Sequence, residues 1–247
     1  MMRGLLLQNE HIFSIYDKLA LKYGSVPSVL GKKSSKELAL YEPITTALIT
    51  ELLQKDTVFA DIGANIGYYT RLASKIIGDN GMIYSFEPSP ELCRHIEKIV
   101  KGRKNAKLFK VALGDRNYTD YLNMNSKNSG GNSLVDTANA NKRIAVSVRR
   151  LDSLIKKVEV AKIDVEGFEN QVLKGFGKLL DNPNLKLIVE YNHHIMFRTT
   201  KDYNGTIDLL NKKGFKVVEI LPAGLGNEQI KSYKQLHNTF VNLYAYK

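Results

Sequence analysis

Asp61 and Glu87 are the two carboxylates whose placement speaks most directly of chemistry. Each closes an apolar run, Val58-Phe-Ala-Asp61 and Tyr84-Ser-Phe-Glu87, and a glycine turn and a helical pattern lie between them. A strand, turn, helix and second strand within roughly 30 residues form the unit that holds a nucleoside at the carboxyl edge of a parallel sheet. Gly63 and Gly67 would let the turn bring bare backbone close to a ligand. Glu87, at the end of the second strand, is placed to accept hydrogen bonds from both ribose hydroxyls. A dinucleotide site would show Gly-x-Gly-x-x-Gly, so that a pyrophosphate can lie on the helix amino end. Here the spacing is Gly63-x-x-x-Gly67, and Asp61 would repel a pyrophosphate. A carboxylate there suits a cofactor carrying an ammonium group, reached through a water or a backbone contact, so S-adenosylmethionine fits better than NAD. Tight turns need glycine in any case; the coincidence of glycines, Asp61 and Glu87 in one unit carries the reading.

A second group of polar residues follows two later apolar runs. Asp164 and Glu166 come after one, and Glu190, Asn192, His193 and His194 end or follow the next. In a parallel sheet these positions converge on the edge where a cofactor methyl would project. Methyl transfer from a sulfonium is an in-line displacement with an activated leaving group, so the protein aligns the acceptor oxygen and removes its proton. A histidine needs little tuning for that work at neutral pH, whereas a carboxylate must be raised by burial. Asp164 or Glu166 could instead cap a helix starting near Phe168, and the histidine pair could be merely exposed. Asp164, Glu190 and Asn192 could also supply oxygen ligands to a divalent cation.

The elements that must position these groups are legible as alternation. Apolar runs at 57–61, 82–87, 107–112, 160–164 and 185–191 are separated by helical patterns, which predicts a parallel sheet covered on both faces. Ile66, Tyr69, Ala73, Ile76 and Ile77 recur at helical spacing. Pro43 opens a helix running to 53, Ser89 and Pro90 start another that Gly102 stops, and Asp202 is placed to cap a third ending at Gly214. Residues 116–150 break the rhythm, with strand-like pieces at 118–124 and 144–148 around Asn125-Ser-Lys-Asn-Ser-Gly-Gly-Asn-Ser133. We expect either a hairpin-like insertion near the acceptor pocket or a disordered surface loop. Ile12, Ile15, Tyr16, Leu19 and Tyr23 share one helical face, so residues 1–40 read as a helical extension and 41–247 as the catalytic domain.

With 247 residues and 43 % hydrophobic content, one α/β domain with a substantial core is expected. Leu5-Leu6-Leu7 is far short of a signal core or membrane span, so a soluble, cytoplasmic protein is expected. The single cysteine, Cys93, excludes an internal disulfide and a cysteine-cluster metal site, and reads as a small buried side chain. The net charge of +11 invites a nucleic-acid hypothesis, but the lysines and arginines occur as scattered pairs, as on solvated faces.

The succession Tyr41-Glu-Pro43, Asp61-Ile-Gly-Ala-Asn-Ile-Gly-Tyr-Tyr-Thr70, Phe86-Glu-Pro88, Val111-Ala-Leu-Gly-Asp115, Leu151-Asp152, Lys162-Ile-Asp-Val-Glu-Gly-Phe-Glu169, Val172-Leu-Lys-Gly175 and Val189-Glu190 resembles the FkbM-type methyltransferases, within the class I S-adenosylmethionine-dependent superfamily. The resemblance implies a Rossmann-like fold with a mostly parallel seven-stranded sheet and helices on both faces. It implies transfer of methyl groups to hydroxyl oxygens of sugars, glycans or glycosylated small molecules. It also implies a cofactor site built from Tyr41, Asp61, Gly63, Ala64, Asn65, Gly67, Tyr68, Tyr69, Glu87, Pro88, Ser89, Ala112, Leu113 and Asp164. The catalytic candidates remain Asp164, Glu166, Glu190, His193 and His194. The family often has histidine two residues after the glutamate of Val-Glu, where this chain has Asn192. Nucleobase amino-methyltransferases carry two prolines and an aromatic after the fourth strand; Asp164-Val-Glu-Gly-Phe168 has no such clamp, so nucleic acid is disfavoured as acceptor. A non-catalytic nucleoside-binding protein with a relic fold is the remaining rival.

Overall fold

The computed structural model describes residues 41–124, 131–135, 142–195 and 201–247. The helical extension expected over residues 1–40 lies outside them, as do 125–130 of the polar loop. The described residues form strands β1 (Val58–Ile62), β2 (Met82–Phe86), β3 (Ala106–Phe109), β4 (Ala112–Leu113), β5 (Tyr118–Met124), β6 (Lys142–Arg149), β7 (Val160–Ile163), β8 (Lys186–Asn192), β9 (Lys216–Leu221), β10 (Gly224–Leu225) and β11 (Phe240–Tyr246). Eight join in one sheet of order β10-β9-β11-β8-β7-β1-β2-β3, and β4, β6 and β5 form a small second sheet. Neighbours from β3 to β8 run parallel. β11 is antiparallel to both β8 and β9, which leaves β9 parallel to the rest. Where seven strands are expected from the sequence, the eighth is the two-residue β10 turned back on β9.

Both faces of the sheet are buried, as a parallel sheet requires. Phe59, Ile83, Val160, Ile188, Val218 and Tyr244 pack under the helices Pro43–Leu52 and Tyr68–Ile76. Ala60, Ala161, Leu187, Val217 and Leu243 face the helices Glu169–Gly175 and Gly205–Lys212. The period of two then sets the polar residues near the carboxyl ends. Asp61 is two residues beyond Phe59, Lys162 two beyond Val160 and Glu190 two beyond Ile188, and Glu190 pairs with Asn242 across β8 and β11. All four therefore lie on the face that carries Tyr69, where the core turns polar.

Two expectations need correction. The run at 107–112 is not one strand: Phe109 stacks on Phe86 in the main sheet at 4.9 Å, whereas Ala112 packs with Leu122, Val146 and Val148 in the second. Asp202 does not cap the helix Gly205–Lys212. Asn204 is its first flanking residue, and the Asp202 carboxylate accepts the Asn204 N–H one turn earlier. Within 116–150, β5 and β6 pair antiparallel from Tyr118 with Val148 to Met124 with Lys142. Asn123 and Ser133 exchange backbone hydrogen bonds, and the Ser133 hydroxyl donates to the Glu166 carbonyl at 2.7 Å, which ties this segment to the loop after β7. Among the described residues, no helix is long and apolar enough to cross a membrane.

The turn after β1 depends on Gly63. Its φ is 76°, and a Cβ there would lie 1.8 Å from the Asp164 carbonyl oxygen, so both the conformation and the space exclude a side chain. Gly63→Ala is expected to cost about 3 kcal/mol, combining a left-handed residue with displacement of the β7 carboxyl end. Urea unfolding checks this; a loss below about 1 kcal/mol would show that the two strand ends separate freely.

Candidate active site

The glycine turn is closed by the protein itself. Gly63 and Ala64 donate their N–H groups to the Phe86 carbonyl at 3.0 and 3.1 Å, Asn65 donates to Glu87 Oε2 at 2.9 Å, and Gly67 donates to the Ala64 carbonyl. Gly67, at φ 85°, faces Ile99, whose Cδ1 would lie 2.6 Å from an added Cβ. Both glycines thus permit close packing inside the chain. Asp61 is buried and its Oδ2 accepts both the N–H and the hydroxyl of Thr70, at 2.8 and 2.6 Å. It therefore occupies the amino end of the helix Tyr68–Ile76, where it completes unpaired N–H groups and complements the helix dipole. A pyrophosphate would need those same donors, so the arrangement does not fit a dinucleotide.

Glu87 is held by two backbone donors, Asn65 to Oε2 and Ser89 to Oε1 at 2.8 Å, which leaves each oxygen capacity to accept again. Ser89 also accepts the Leu92 N–H and so starts the helix Pro90–Val100. Burial pushes Glu87 up to about 7, against the two backbone bonds, and pushes Asp61 up to about 6. Cys93 is buried, with its thiol on the Glu87 carbonyl. Pro88 is half-buried behind Glu87, and Ala112 and Leu113 are buried where β4 joins the second sheet.

At the carboxyl ends of β7 and β8 a second polar group assembles. Carboxylate oxygens of Glu42, Asp164 and Glu190 lie within 4.8 Å of one another. The Lys162 ammonium, 1 % exposed, reaches Asp164 Oδ2 at 3.1 Å, Asn242 Oδ1 at 3.5 Å and Glu42 Oε2 at 3.9 Å. Burial alone would lower the lysine, but Asp164, Glu42 and Glu190 together hold it above its usual range. Glu42 is further tied by the Tyr69 hydroxyl at 2.7 Å and the Asn242 amide at 3.1 Å. Glu190 is buried, its Oε2 has no hydrogen-bond partner in the protein, and burial beside Asp164 pushes it well above the carboxylate range. Glu166 sits at φ 54°, pushed up to about 8 by burial, Asp164 and Glu169. Glu169 Oε1 accepts the Val165 and Gly167 N–H groups and so fixes the loop after β7; neither Asp164 nor Glu166 caps the helix Glu169–Gly175 by its side chain.

Tyr41 is exposed and meets Tyr68 edge-on at 5.4 Å and Tyr69 at a tilt at 6.4 Å, and the Tyr68 hydroxyl contacts Thr46. His193 and His194 form a different cluster, 4.5 Å apart, with His193 packed on Tyr203 and Tyr233. Asn192 is occupied by the Ile195 N–H, and Glu42 takes the place the sequence gave it beside Asp164 and Glu190. Beside Glu42 opens a cavity of about 550 Å³, whose lining includes Ile44, Leu221, Asn238, Phe240 and Asn242.

Comparison with known families matches residues 61–217 to the Methyltransferase FkbM domain. The chain belongs to the FkbM methyltransferase family. The carboxylates Asp61, Glu87 and Asp164 along one edge fit a methyl donor that carries ammonium and sulfonium charge, as S-adenosylmethionine does. Among solved structures, the methyltransferase is similar to an FkbM methyltransferase from Methylobacillus flagellatus, at 15 % identity and TM-score 0.50, over 79 % of this chain and 45 % of that one. It thus spans less than half of that protein. A putative rRNA-methylase from Clostridium thermocellum shares the fold at 11 % identity and TM-score 0.50, over 86 % and 98 % of the two chains. No curated protein matches significantly.

Four residues of the methyltransferase site have no role assigned from the sequence: Glu42, Thr70 and Lys162, which lie within the motif segments, and Asn242, which lies outside them. Lys162 alone leaves a signal, an ammonium inside the apolar strand Val-Ala-Lys-Ile.

The buried acids also set the methyltransferase's stability against pH. Glu87 and Glu169 are raised from 4.5 to about 7 and Asp61 from 3.8 to about 6, so the folded state binds more protons than the unfolded one between those limits. Their contribution is fully present below about pH 4 and is lost as pH rises through about 6 to 7. His193, lowered by burial and by His194, acts in the opposite sense but is one group against these three acids and Glu166 and Glu190, which are raised as well. The melting temperature of the cofactor-free enzyme is therefore expected to fall between about pH 5 and 7.5; a rise over that range in calorimetry would mean the acids are ionised in the fold at little cost.

Proposed function

We propose that this enzyme methylates a hydroxyl oxygen of a sugar, a glycan or a glycosylated small molecule. The observation that carries the reading is the unpartnered, buried Oε2 of Glu190 at the carboxyl edge of β8, beside Asp164. Burial beside Asp164 makes the Glu190 carboxylate more basic than a free one, and an oxygen without a protein donor is one that a ligand hydroxyl can satisfy. Asp164 is less available to an acceptor because its Oδ2 already accepts the Lys162 ammonium. S-Adenosylmethionine supplies an electrophilic methyl group on a sulfonium. Glu87, fixed by the Asn65 and Ser89 N–H groups, offers two oxygens to a ribose, and Asp61 holds the helix start behind it.

The cavity beside Glu42 supports an uncharged polyhydroxyl acceptor with an apolar portion. Its lining among the described residues carries carboxylates, amides and apolar groups, including the half-exposed Phe240, and no lysine or arginine. Such a surface repels a polyanion at short range, whatever the net charge of the chain. The test is release of S-adenosylhomocysteine from S-adenosylmethionine against a panel of glycosides, with an oligoribonucleotide and a methylatable amine in parallel. Turnover on a glycoside hydroxyl supports the proposal. Turnover confined to the oligonucleotide or the amine would replace it.

A further inference from the structure

Three carboxylates converging within 4.8 Å ordinarily call for a divalent cation, and in this protein a lysine stands among them. We propose that the Lys162 ammonium is a resident cation: it takes the part a metal would play between Glu42 and Asp164, makes the site metal-independent, and leaves Glu190 as the carboxylate of the group with an oxygen that no protein donor satisfies. The assignment of Glu190 to the acceptor rests on the reading above; the cation role does not.

The geometry is specific. Lys162 is a strand residue whose Nζ is the buried centre of the group, 3.1 Å from Asp164 Oδ2, 3.5 Å from Asn242 Oδ1 and 3.9 Å from Glu42 Oε2, with the Tyr69 ring 5.8 Å away. These groups come from five parts of the chain: the residue before the helix Pro43–Leu52, the helix Tyr68–Ile76, β7, the loop after it, and β11. An ammonium at this depth persists only if paired and hydrogen-bonded, so its partners are fixed as firmly as it is. A divalent ion in the same space would be driven off by a charge that cannot leave the strand. Lys162 is therefore a positioning residue, which orients Asp164 and Glu42 and does not itself touch the acceptor.

Manganese binding reads this out without an acceptor. In electron paramagnetic resonance titrations at neutral pH, the wild-type protein is expected to bind no Mn²⁺ at this group tighter than about millimolar. Lys162→Met, with the cation removed and the three carboxylates kept, is expected to gain one Mn²⁺ site of roughly 10 to 100 µM, abolished again by the added change Asp164→Asn. A merely structural lysine would leave no such site. Lys162→Gln serves as the second neutral variant, and circular dichroism reports whether either is folded. Stoichiometric Mn²⁺ binding by wild type that Asp164→Asn removes would overturn the proposal, whatever the variants do. So would a folded Lys162→Met or Lys162→Gln that binds none. Failure of every glycoside as acceptor would count against the proposed function and leave these outcomes unaffected.

Discussion

Glu190→Gln is expected to lower turnover by about 10³-fold while changing S-adenosylhomocysteine affinity by no more than about threefold. Glutamine keeps the shape of the buried side chain and removes only its basicity, so the loss reports proton removal and not packing. A positioned general base contributes on the order of 10² to 10⁴ in rate, and 10³ corresponds to about 4 kcal/mol of barrier. Glu190 qualifies above its neighbours for a reason that can be stated atom by atom. Asp164 Oδ2 accepts the Lys162 ammonium, Glu42 accepts the Tyr69 hydroxyl and the Asn242 amide, and Glu190 Oε2 has no protein partner. Glu169 Oε2 is also unpaired, but its other oxygen is spent on the loop 165–167, so its substitution should loosen that loop and affect stability first. Retention of more than about a tenth of wild-type turnover by Glu190→Gln, measured on the acceptor the glycoside panel returns, would move the base to Glu166 or to the His193–His194 cluster.

What the sequence discloses and what it conceals divide along contact distance. Ser89 is legible as a helix start because its hydroxyl serves a donor three residues on. The parallel core is legible because each strand is an apolar run punctuated by turn residues. The role of Asp61 is only half legible. Its type and place at a strand end say that a carboxylate is wanted, but its partner Thr70 is nine residues away, on a helix whose approach depends on Gly67 meeting Ile99. Glu42 and Asn242 are 200 positions apart and meet only because β11 inserts between β8 and β9, an order that no local pattern contains. The run at 107–112 misleads for a related reason: its apolar side chains serve two sheets, and period alone cannot say where one ends.

The charge balance also sorts by depth. A chain of net charge +11 keeps its basic residues mainly on solvated faces, whereas the carboxyl edge of its sheet holds Asp61, Glu87, Asp164, Glu166 and Glu190 around the buried ammonium of Lys162. Long-range attraction of anions and short-range preference for a cationic cofactor therefore coexist, one screened by salt and the other not. Raising ionic strength should leave cofactor affinity nearly unchanged.

Glu87→Ala is expected to weaken S-adenosylhomocysteine binding by on the order of 10³-fold, from two hydrogen bonds to a charged acceptor worth about 1.5 to 3 kcal/mol each. The same change strips the Asn65 and Ser89 N–H groups of their acceptor, so the turn and the helix start at Pro90 both loosen. Glu87→Gln separates the two effects. The amide keeps one acceptor oxygen for the backbone but cannot serve two backbone donors and two ribose hydroxyls at once, so affinity should fall by roughly 30-fold or more with the fold retained. Wild-type affinity should also weaken about tenfold for each pH unit below the Glu87 value of about 7, because the protonated acid loses acceptor capacity. Glu87→Gln should flatten that dependence. Calorimetric titrations across about pH 5.5 to 8.5 decide the matter: unchanged affinity in Glu87→Ala, or a pH slope that survives in Glu87→Gln, would mean that the ribose is held elsewhere and that Glu87 serves only to close the turn.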